Sequence, residues 1–239
     1  MKATLLIKNI ENLYTCNEED RVISHAFVAM HHDQIIDYGT HDPKIWIDDA
    51  TRVLDARGEC VVPAFIDCHF NSPQDLLDGD RMRKESDALY AMRKNGILTL
   101  ISRDRSMRRK ELFQEVLYSD HIPKMPLIEG LPKEEVNVPF LISCGMNSQP
   151  HKVYSMQPLG FVLHVYFGMD AGDLLKAMTC NPAKEYDLKK IGSIKKGYQG
   201  DLLVIRAPTI ELYFSEVGRQ LIHRMIKAGI QFYPEIIRC

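Results

Sequence analysis

His69 is the residue whose type and position offer the clearest chemistry in this chain of 239 residues. It ends the apolar segment 61–69, which is interrupted by Pro63 and predicts a buried strand with a polar end. Asn71 lies two positions further on, so its side chain is expected on the same face as His69. An imidazole is a common metal ligand, whereas a neutral amide is a weak one. Because a catalytic zinc site needs about three protein ligands, these two residues alone predict poor metal binding.

A second set of polar residues follows a later apolar segment. Cys144 ends that segment, and Gly145 and Asn147 come after it, so a second predicted strand end carries them. Together with Asn71, they predict a polar, uncharged pocket. Cys144 would form a thiolate site with His69 if the two strand ends meet. The alternative is a small buried hydrophobic side chain, which is the usual state of a free cysteine.

The composition excludes several classes of function. With 45% hydrophobic and 26% charged residues, the sequence is that of an ordinary globular protein. A net charge of −2 offers no field for nucleic acid or anionic lipid, and no apolar segment approaches the roughly 18–20 residues of a membrane span. Segment 1–8 has too short an apolar part for a signal peptide and predicts a first strand. Six cysteines without a C-x-x-C pair therefore predict reduced thiols in a cytoplasmic protein.

Three parts of the chain must position the candidate residues: 1–62, 63–180 and 181–239. The first and last predict β-strands, with a small antiparallel sheet at the N-terminus. The middle part alternates strand and helix, which predicts a parallel sheet covered by helices. Its predicted strands are 65–69, 97–101 and 140–144. Its predicted helices are 74–95, 108–117, 160–167 and 171–178, the last with Asp170 as N-cap. A proline-rich connection is predicted over 121–139.

Four segments of the chain resemble the amidohydrolase superfamily, and within it imidazolonepropionase. Segment 61–71 resembles the first barrel strand with its terminal histidine, and segment 96–105 resembles the second. Segment 141–147 resembles the last barrel strand, and segment 174–205 resembles the C-terminal signature, which is the longest match. The resemblance implies a metal-dependent hydrolase, built as a (β/α)8 barrel with a small β-sandwich made from both chain ends.

The chain departs from that family in length and in ligands. A complete barrel needs about 200–250 residues, and residues 64–180 supply about half of that. The predicted fold class is therefore α/β, with a truncated (β/α) barrel-like core of three to four βα units plus a small β-sandwich built from both chain ends. By resemblance, His69 matches the first metal-binding histidine and Asn71 replaces the second. Gly145 stands where the family has an aspartate that binds metal and acts as general base.

These departures predict an imidazolonepropionase-like protein that has lost metal-dependent hydrolysis of C–N bonds. It would act without catalysis, as a homo-oligomer or as a binding protein for a small polar ligand, and no cofactor is expected. The alternative is a residual hydrolase of a cyclic amide, with a divalent metal (Zn, Fe or Mn) whose ligands are completed across a subunit interface. A truncated relic without a selected role is a further alternative. Neither nucleic acid nor membrane is an expected partner.

Overall fold

The computed structural model describes residues 1–71, 78–110, 113–132, 136–146 and 152–234. The chain forms two compact units. The first unit comprises Met1–Ala64, Lys189–Tyr213 and Arg219–Cys239, and the second comprises Phe65–Leu188 and Phe214–Gly218. Among the described residues, no helix is both long enough and apolar enough to cross a membrane.

The strands of the described residues are β1 (Leu5–Tyr14), β2 (Val22–His31), β3 (Gln34–Gly39), β4 (Arg52–Asp55), β5 (Cys60–Pro63), β6 (Phe65–Asp67), β7 (Ile97–Ser102), β8 (Arg109–Lys110), β9 (Glu115–Tyr118), β10 (Leu127–Glu129), β11 (Leu141–Ser143), β12 (Leu202–Ile205), β13 (Ile222–Lys227) and β14 (Ile230–Tyr233). The α-helices are α1 (Asp78–Lys94), α2 (Gln157–Phe161), α3 (Ala171–Ala177), α4 (Cys180–Glu185) and α5 (Ile210–Ser215). Short 3-10 helices span Pro43–Trp46 and Arg105–Met107, and a π-helical turn spans Val162–Tyr166.

Both chain ends contribute strands to one eight-stranded sheet in the first unit. Its order is β14-β13-β12-β5-β1-β2-β3, with β4 also paired to β1. β1, β2 and β3 are antiparallel neighbours, but β4 and β5 run parallel to β1. The prediction of a purely antiparallel N-terminal sheet was therefore wrong. The connection after β3 returns the chain to the start of β1, where the Ala3 N–H donates to the Trp46 carbonyl at 2.8 Å, and β4 then runs in the same direction as β1.

Asp37 is a buried carboxylate at the centre of a polar cluster in the first unit. Trp46 Nε1 and His41 Nε2 lie 2.7 and 2.9 Å from Asp37 Oδ2, and Lys196 Nζ lies 2.7 Å from Oδ1. Burial alone would raise the pKa of Asp37, but the hydrogen bonds from Lys196, Trp46 and His41 outweigh it and lower the pKa overall. The cluster ties the turn Pro43–Trp46 to β3.

Parallel strands dominate the second unit. β6, β7, β9 and β8 are hydrogen-bonded in that order, and β10 pairs with β11. A parallel bridge between Phe70 and Met146 joins the continuation of β6 to that of β11. β7 runs parallel to both β6 and β9, and β10 runs parallel to β11. The carboxyl ends of these five strands therefore lie at the same edge.

The structure confirms some predicted elements and corrects others. The predicted strand 97–101 is β7, and Asp170 caps α3 by accepting from the Asp173 N–H at 3.0 Å. The predicted helix 108–117 was wrong, because β8 and β9 lie there and every residue of β9 pairs with β7. The connection 121–139 contains β10, which was also not predicted.

The α/β prediction is confirmed in its coarse form, as a mixed and strand-rich chain with several sheets. α1 joins β6 to β7 and makes one βαβ unit. In the rest of the described chain, no α-helix lies between consecutive parallel strands of the second unit. Three to four βα units therefore stay a prediction.

Candidate functional site

Polar side chains gather at the carboxyl ends of the parallel strands in the second unit. His69 follows β6, Arg103 follows β7, His121 follows β9 and Glu129 ends β10. All four line one cavity of about 150 Å³. Its other lining residues are Cys68, Ile101, Ser119, Pro123, Leu127 and Tyr186. Because ligand sites of α/β proteins lie at this edge of the sheet, the cavity is the candidate functional site.

Both ring nitrogens of His69 are hydrogen-bonded within the chain. Asn71 Nδ2 lies 3.0 Å from His69 Nε2. Since an amide nitrogen only donates, Nε2 is the acceptor. The proton of the neutral imidazole therefore lies on Nδ1, which donates to Glu129 Oε1. The side chains of His69 and Glu129 are 20% and 21% exposed, so water reaches the pair only in part.

A buried carboxylate fixes the strand end that carries His69. Asp67 is completely buried. Its oxygens accept hydrogen bonds from Ser143 Oγ at 2.7 Å, from the Cys144 N–H at 2.8 Å and from the His69 N–H at 3.0 Å. These bonds join the end of β6 to the end of β11, and they set the position of the His69 backbone.

His121 belongs to a second histidine–carboxylate pair. Its Nε2 lies 2.8 Å from Oε1 of Glu185, the last residue of α4, and the same oxygen accepts the Lys124 N–H at 2.6 Å. Burial would raise the pKa of Glu185, but the hydrogen bonds from His121 and from backbone N–H groups lower it overall. The His121 ring also packs edge-on against Tyr186, with centroids 5.4 Å apart. The imidazole is therefore fixed at the cavity wall beside an ionised carboxylate.

Burial and neighbouring carboxylates raise the pKa of the Cys68 thiol. Burial raises the pKa of Cys68 well above its ordinary value, and the charge of Asp67 raises it next most. Glu129 and Glu185 raise the same pKa further, by smaller amounts. Cys68 is consequently a neutral thiol, and its Sγ lies 3.8 Å from the Ile142 carbonyl oxygen.

Cys144, predicted as a pocket residue, is fully buried beside Asp67. Its pKa is raised well above the ordinary value, first by burial and then by the Asp67 charge. Its described interactions are with Asp67, so the structure does not bring a thiolate to His69. Cys144 is not among the residues that line the cavity.

Gly145, the second predicted pocket residue, has φ of +62°, a conformation that favours glycine. Its N–H donates to Ser143 Oγ at 3.0 Å, and it does not line the cavity. Asn71 acts through the His69 ring, as described above. Asn147 lies outside the described residues. Of the predicted set, His69 is therefore the residue that the structure places on the cavity wall.

The described residues do not fit a catalytic metal. Such a zinc site needs about three protein ligands and an open position. No group of three or more His, Cys, Asp or Glu side chains within the described ranges could hold a metal ion. Glu129 and Asn71 occupy the two ring nitrogens of His69. A metal at His69 would have to displace one of these bonds, and it would find only one carboxylate bonded to the ring.

Several functional candidates were missed by the sequence analysis. Glu129 and His121 lie in the stretch that was predicted as a connection. Tyr186 follows the short helix α4, which was not predicted. The one signal for Glu129 was its position after Leu127 and Ile128 and before a glycine, Gly130, whose φ is +68°. An apolar pair that ends in a carboxylate and a glycine is a short strand followed by a turn.

Comparison with known proteins agrees with this architecture. The amidohydrolase family model matches residues 116–230, a stretch that contains His121, Glu129 and Glu185 but not His69. No curated protein matches the sequence.

Solved structures match over nearly the whole chain. An adenosine deaminase from Xanthomonas campestris with bound zinc has a TM-score of 0.68 at 11% identity, covering 96% of this chain and 93% of that one. A Xaa-Pro dipeptidase with bound methionine has a TM-score of 0.71 at 12% identity, covering 95% and 99%. Enamidase, a member of the amidohydrolase superfamily, has a TM-score of 0.70 at 12% identity, covering 95% of both chains. Such identities show the fold alone, so this chain has the fold of these solved structures, and its residues 116–230 match the amidohydrolase family model.

Proposed function

We propose that this protein binds a small polar molecule in the cavity beside His69 and has lost the metal-dependent hydrolysis of C–N bonds that its resemblance to imidazolonepropionase implies. The observation that carries the proposal is the state of the His69 ring. Both of its nitrogens are bonded to side chains of the chain itself. The neighbouring donors that would complete a metal site are lacking in the described residues.

The dimensions of the cavity limit its ligand. A cavity of about 150 Å³ holds a molecule about the size of benzene. An imidazolone or hydantoin ring has this size, whereas a ring with a long side chain would have to extend into solvent. His121, Ser119 and Tyr186 supply polar groups at the wall. A planar ring with several hydrogen-bonding atoms therefore suits the site.

Two measurements on the purified protein test this proposal. Elemental analysis is expected to find well under one Zn, Fe or Mn per chain. Thermal-shift titration with hydantoin, imidazolone and urocanate is expected to raise the melting temperature with the smaller rings. His121→Phe, which fills part of the cavity, should abolish the shift, while His25→Phe in the first unit should not.

The opposite results would revive the alternative hydrolase. About one tightly bound metal per chain, with hydrolysis of a cyclic amide that a chelator removes, would contradict the proposed loss of activity. Absence of stabilisation by every ring ligand would contradict the proposed binding.

We also propose that the second unit associates with another copy of the chain. β8 and β10 are the outer strands of its described sheets, and exposed strand edges favour pairing with another chain. Three apolar residues that flank β10 in the sequence are more than 45% exposed: Ile122, Leu131 and Val138. Light scattering coupled to size-exclusion chromatography should give at least twice the chain mass of 27.4 kDa. A stable monomer at micromolar concentration would contradict the association.

A further inference from the structure

We infer that the cavity beside His69 selects a small planar cation over the neutral and anionic molecules of the same shape. This selectivity rests on the proposed ligand-binding function, and it names the chemical class of the ligand. Glu129 is the residue that we expect to determine it, because its carboxylate lies on the cavity wall.

In the described part of the chain, one carboxylate and one guanidinium line the cavity, and two further carboxylates are hydrogen-bonded to its lining residues. Glu129 lines it, Glu185 is bonded to the His121 ring at 2.8 Å, and Asp67 accepts the His69 N–H at 3.0 Å. Arg103 is the one described lysine or arginine that lines the cavity. With both histidines neutral, the charges of Glu129 and Arg103 balance, and the negative excess comes from Glu185 and Asp67.

Burial makes this imbalance larger than the count suggests. The side chain of Glu185 is 7% exposed and Asp67 is fully buried, so water screens these two charges weakly. Arg103 is exposed, and water and salt screen its charge strongly. The field inside the cavity therefore follows the carboxylates more than the guanidinium.

The pKa of Tyr186, on the cavity wall, is affected by two of the carboxylates that affect Cys68. Burial raises the pKa of Tyr186 most, and Cys68 raises it next. Arg103 lowers it, and the charges of Glu185 and Asp67 raise it by smaller amounts. The same buried carboxylates therefore act on Cys68 and on Tyr186, and Arg103 opposes them at Tyr186. A positive ligand is attracted by this potential, and a negative one is repelled.

The shape of the cavity adds the second half of the ligand class. Its volume of about 150 Å³ excludes large cations, and Tyr186, Ile101 and Leu127 are among its lining residues and supply apolar surface. Small amidinium, guanidinium or imidazolium groups are planar, positively charged and rich in N–H donors. These groups can donate to the carboxylate and hydroxyl oxygens of the wall.

Three molecules of the same shape but different charge test the selectivity: acetamidinium, acetamide and acetate. Their binding to the full chain is measured by ligand-observed NMR titration at constant ionic strength. Acetamidinium should bind about tenfold more tightly than acetamide, as expected for opposite charges a few ångströms apart near a protein surface, and acetate should bind most weakly. Affinity for the cation should fall as salt rises from about 20 to about 300 mM, while that for acetamide should not change.

Glu129→Gln is the matched variant, because glutamine keeps an oxygen that can accept from His69 Nδ1 while it removes the charge. The preference for acetamidinium over acetamide should fall to about twofold or less. Arg103→Gln should increase the preference. Glu19→Gln, an exposed residue of the first unit, should leave it unchanged, which controls for the total charge of the protein.

Equal or tighter binding of acetate, or an unchanged cation preference in Glu129→Gln, would overturn the selectivity. Binding of none of the three probes would overturn it as well. The proposed function is judged separately by the hydantoin and imidazolone titrations. If Glu129→Gln does not fold, the salt dependence of acetamidinium binding to the natural chain decides: a cation affinity that does not respond to salt refutes the role of the carboxylates.

Discussion

Replacement of Asp67 by asparagine should destabilise the second unit by about 2–4 kcal/mol. The carboxylate accepts from Ser143 Oγ and the His69 N–H on one oxygen and from the Cys144 N–H on the other. Asparagine keeps one oxygen, but its amide nitrogen then faces the N–H of Cys144 or the donors on the other side. At least one buried donor loses its acceptor.

The magnitude follows from the number and kind of bonds lost. A hydrogen bond to a charged group contributes about 1.5–3 kcal/mol, and a buried donor left without a partner costs about 1–3 kcal/mol. The neutral side chain is easier to bury than the carboxylate, which offsets part of this loss. A net loss of about 2–4 kcal/mol corresponds to a fall in melting temperature of about 5–15 °C for a chain of this size.

Urea unfolding followed by far-UV circular dichroism measures the effect as a change in midpoint at an unchanged slope. Trp46, the single tryptophan, lies in the first unit, and its fluorescence reports that unit separately. Ser143→Ala removes only one donor to the same carboxylate and should cost about 1–2 kcal/mol. A stability of Asp67→Asn within about 0.5 kcal/mol of the natural chain would refute the assignment of Asp67 as the group that holds the two strand ends together.

Three other predictions concern the first unit and the His69 ring. The pKa of Asp37 is lowered in the folded chain. Its contribution to stability is therefore fully present above its unfolded pKa of about 3.9 and is lost as the pH falls through the lower folded pKa. Asp37→Asn should remove this acid dependence, as measured by Trp46 fluorescence in urea between about pH 5 and pH 2. Gly229→Ala should cost more than about 3 kcal/mol of stability, because a Cβ at Gly229 would lie 1.8 Å from the His32 carbonyl oxygen. Gly58 has a similar φ of +80° and open space around it, so Gly58→Ala should cost about 1 kcal/mol. Equal losses in thermal unfolding would refute the close contact. Asn71→His should bind zinc at least about tenfold more tightly than Asn71→Ala, because it supplies a second imidazole beside His69. Competition with a chromophoric chelator measures the two affinities. Equal affinities would contradict the placement of residue 71 at that ring.

The sequence predicts the strands whose residues are apolar without interruption. Four of the six residues of Ile97–Ser102 are leucine or isoleucine, so composition alone identifies β7. The structure buries every position of this strand. Glu115–Tyr118 is mixed in polarity and only Val116 is buried, which is compatible with a helix surface as well as with a strand. Its conformation is determined by pairing with β7 along the whole segment, and no local pattern of four residues contains that information.

The same limit applies to the candidate site. His69 is visible in the sequence because it ends an apolar run. Its partner Glu129 is separated from it by 60 positions and ends a strand of three residues, which is too short for a periodic pattern. Glu185 lies in a segment that resembles the family signature, but nothing local in the sequence indicates that it would meet His121, 64 positions away. Single residues of the site are therefore predictable, whereas the pairs that define its chemistry depend on the sheet topology.

The pairing around His69 explains how the imidazole at the end of β6 is stable without a bound ligand. A partly buried imidazole such as that of His69 gains from an acceptor for its N–H and a donor for its other nitrogen, and a missing partner costs up to about 1–3 kcal/mol, less where water reaches the ring. Glu129 accepts from Nδ1, and Asn71 donates to Nε2. An alanine at position 71 would leave Nε2 without this donor, and an ionised aspartate could not donate to it at all. Asn71 and Glu129 together therefore fix one tautomer of His69 and supply hydrogen-bond partners for both ring nitrogens from within the chain.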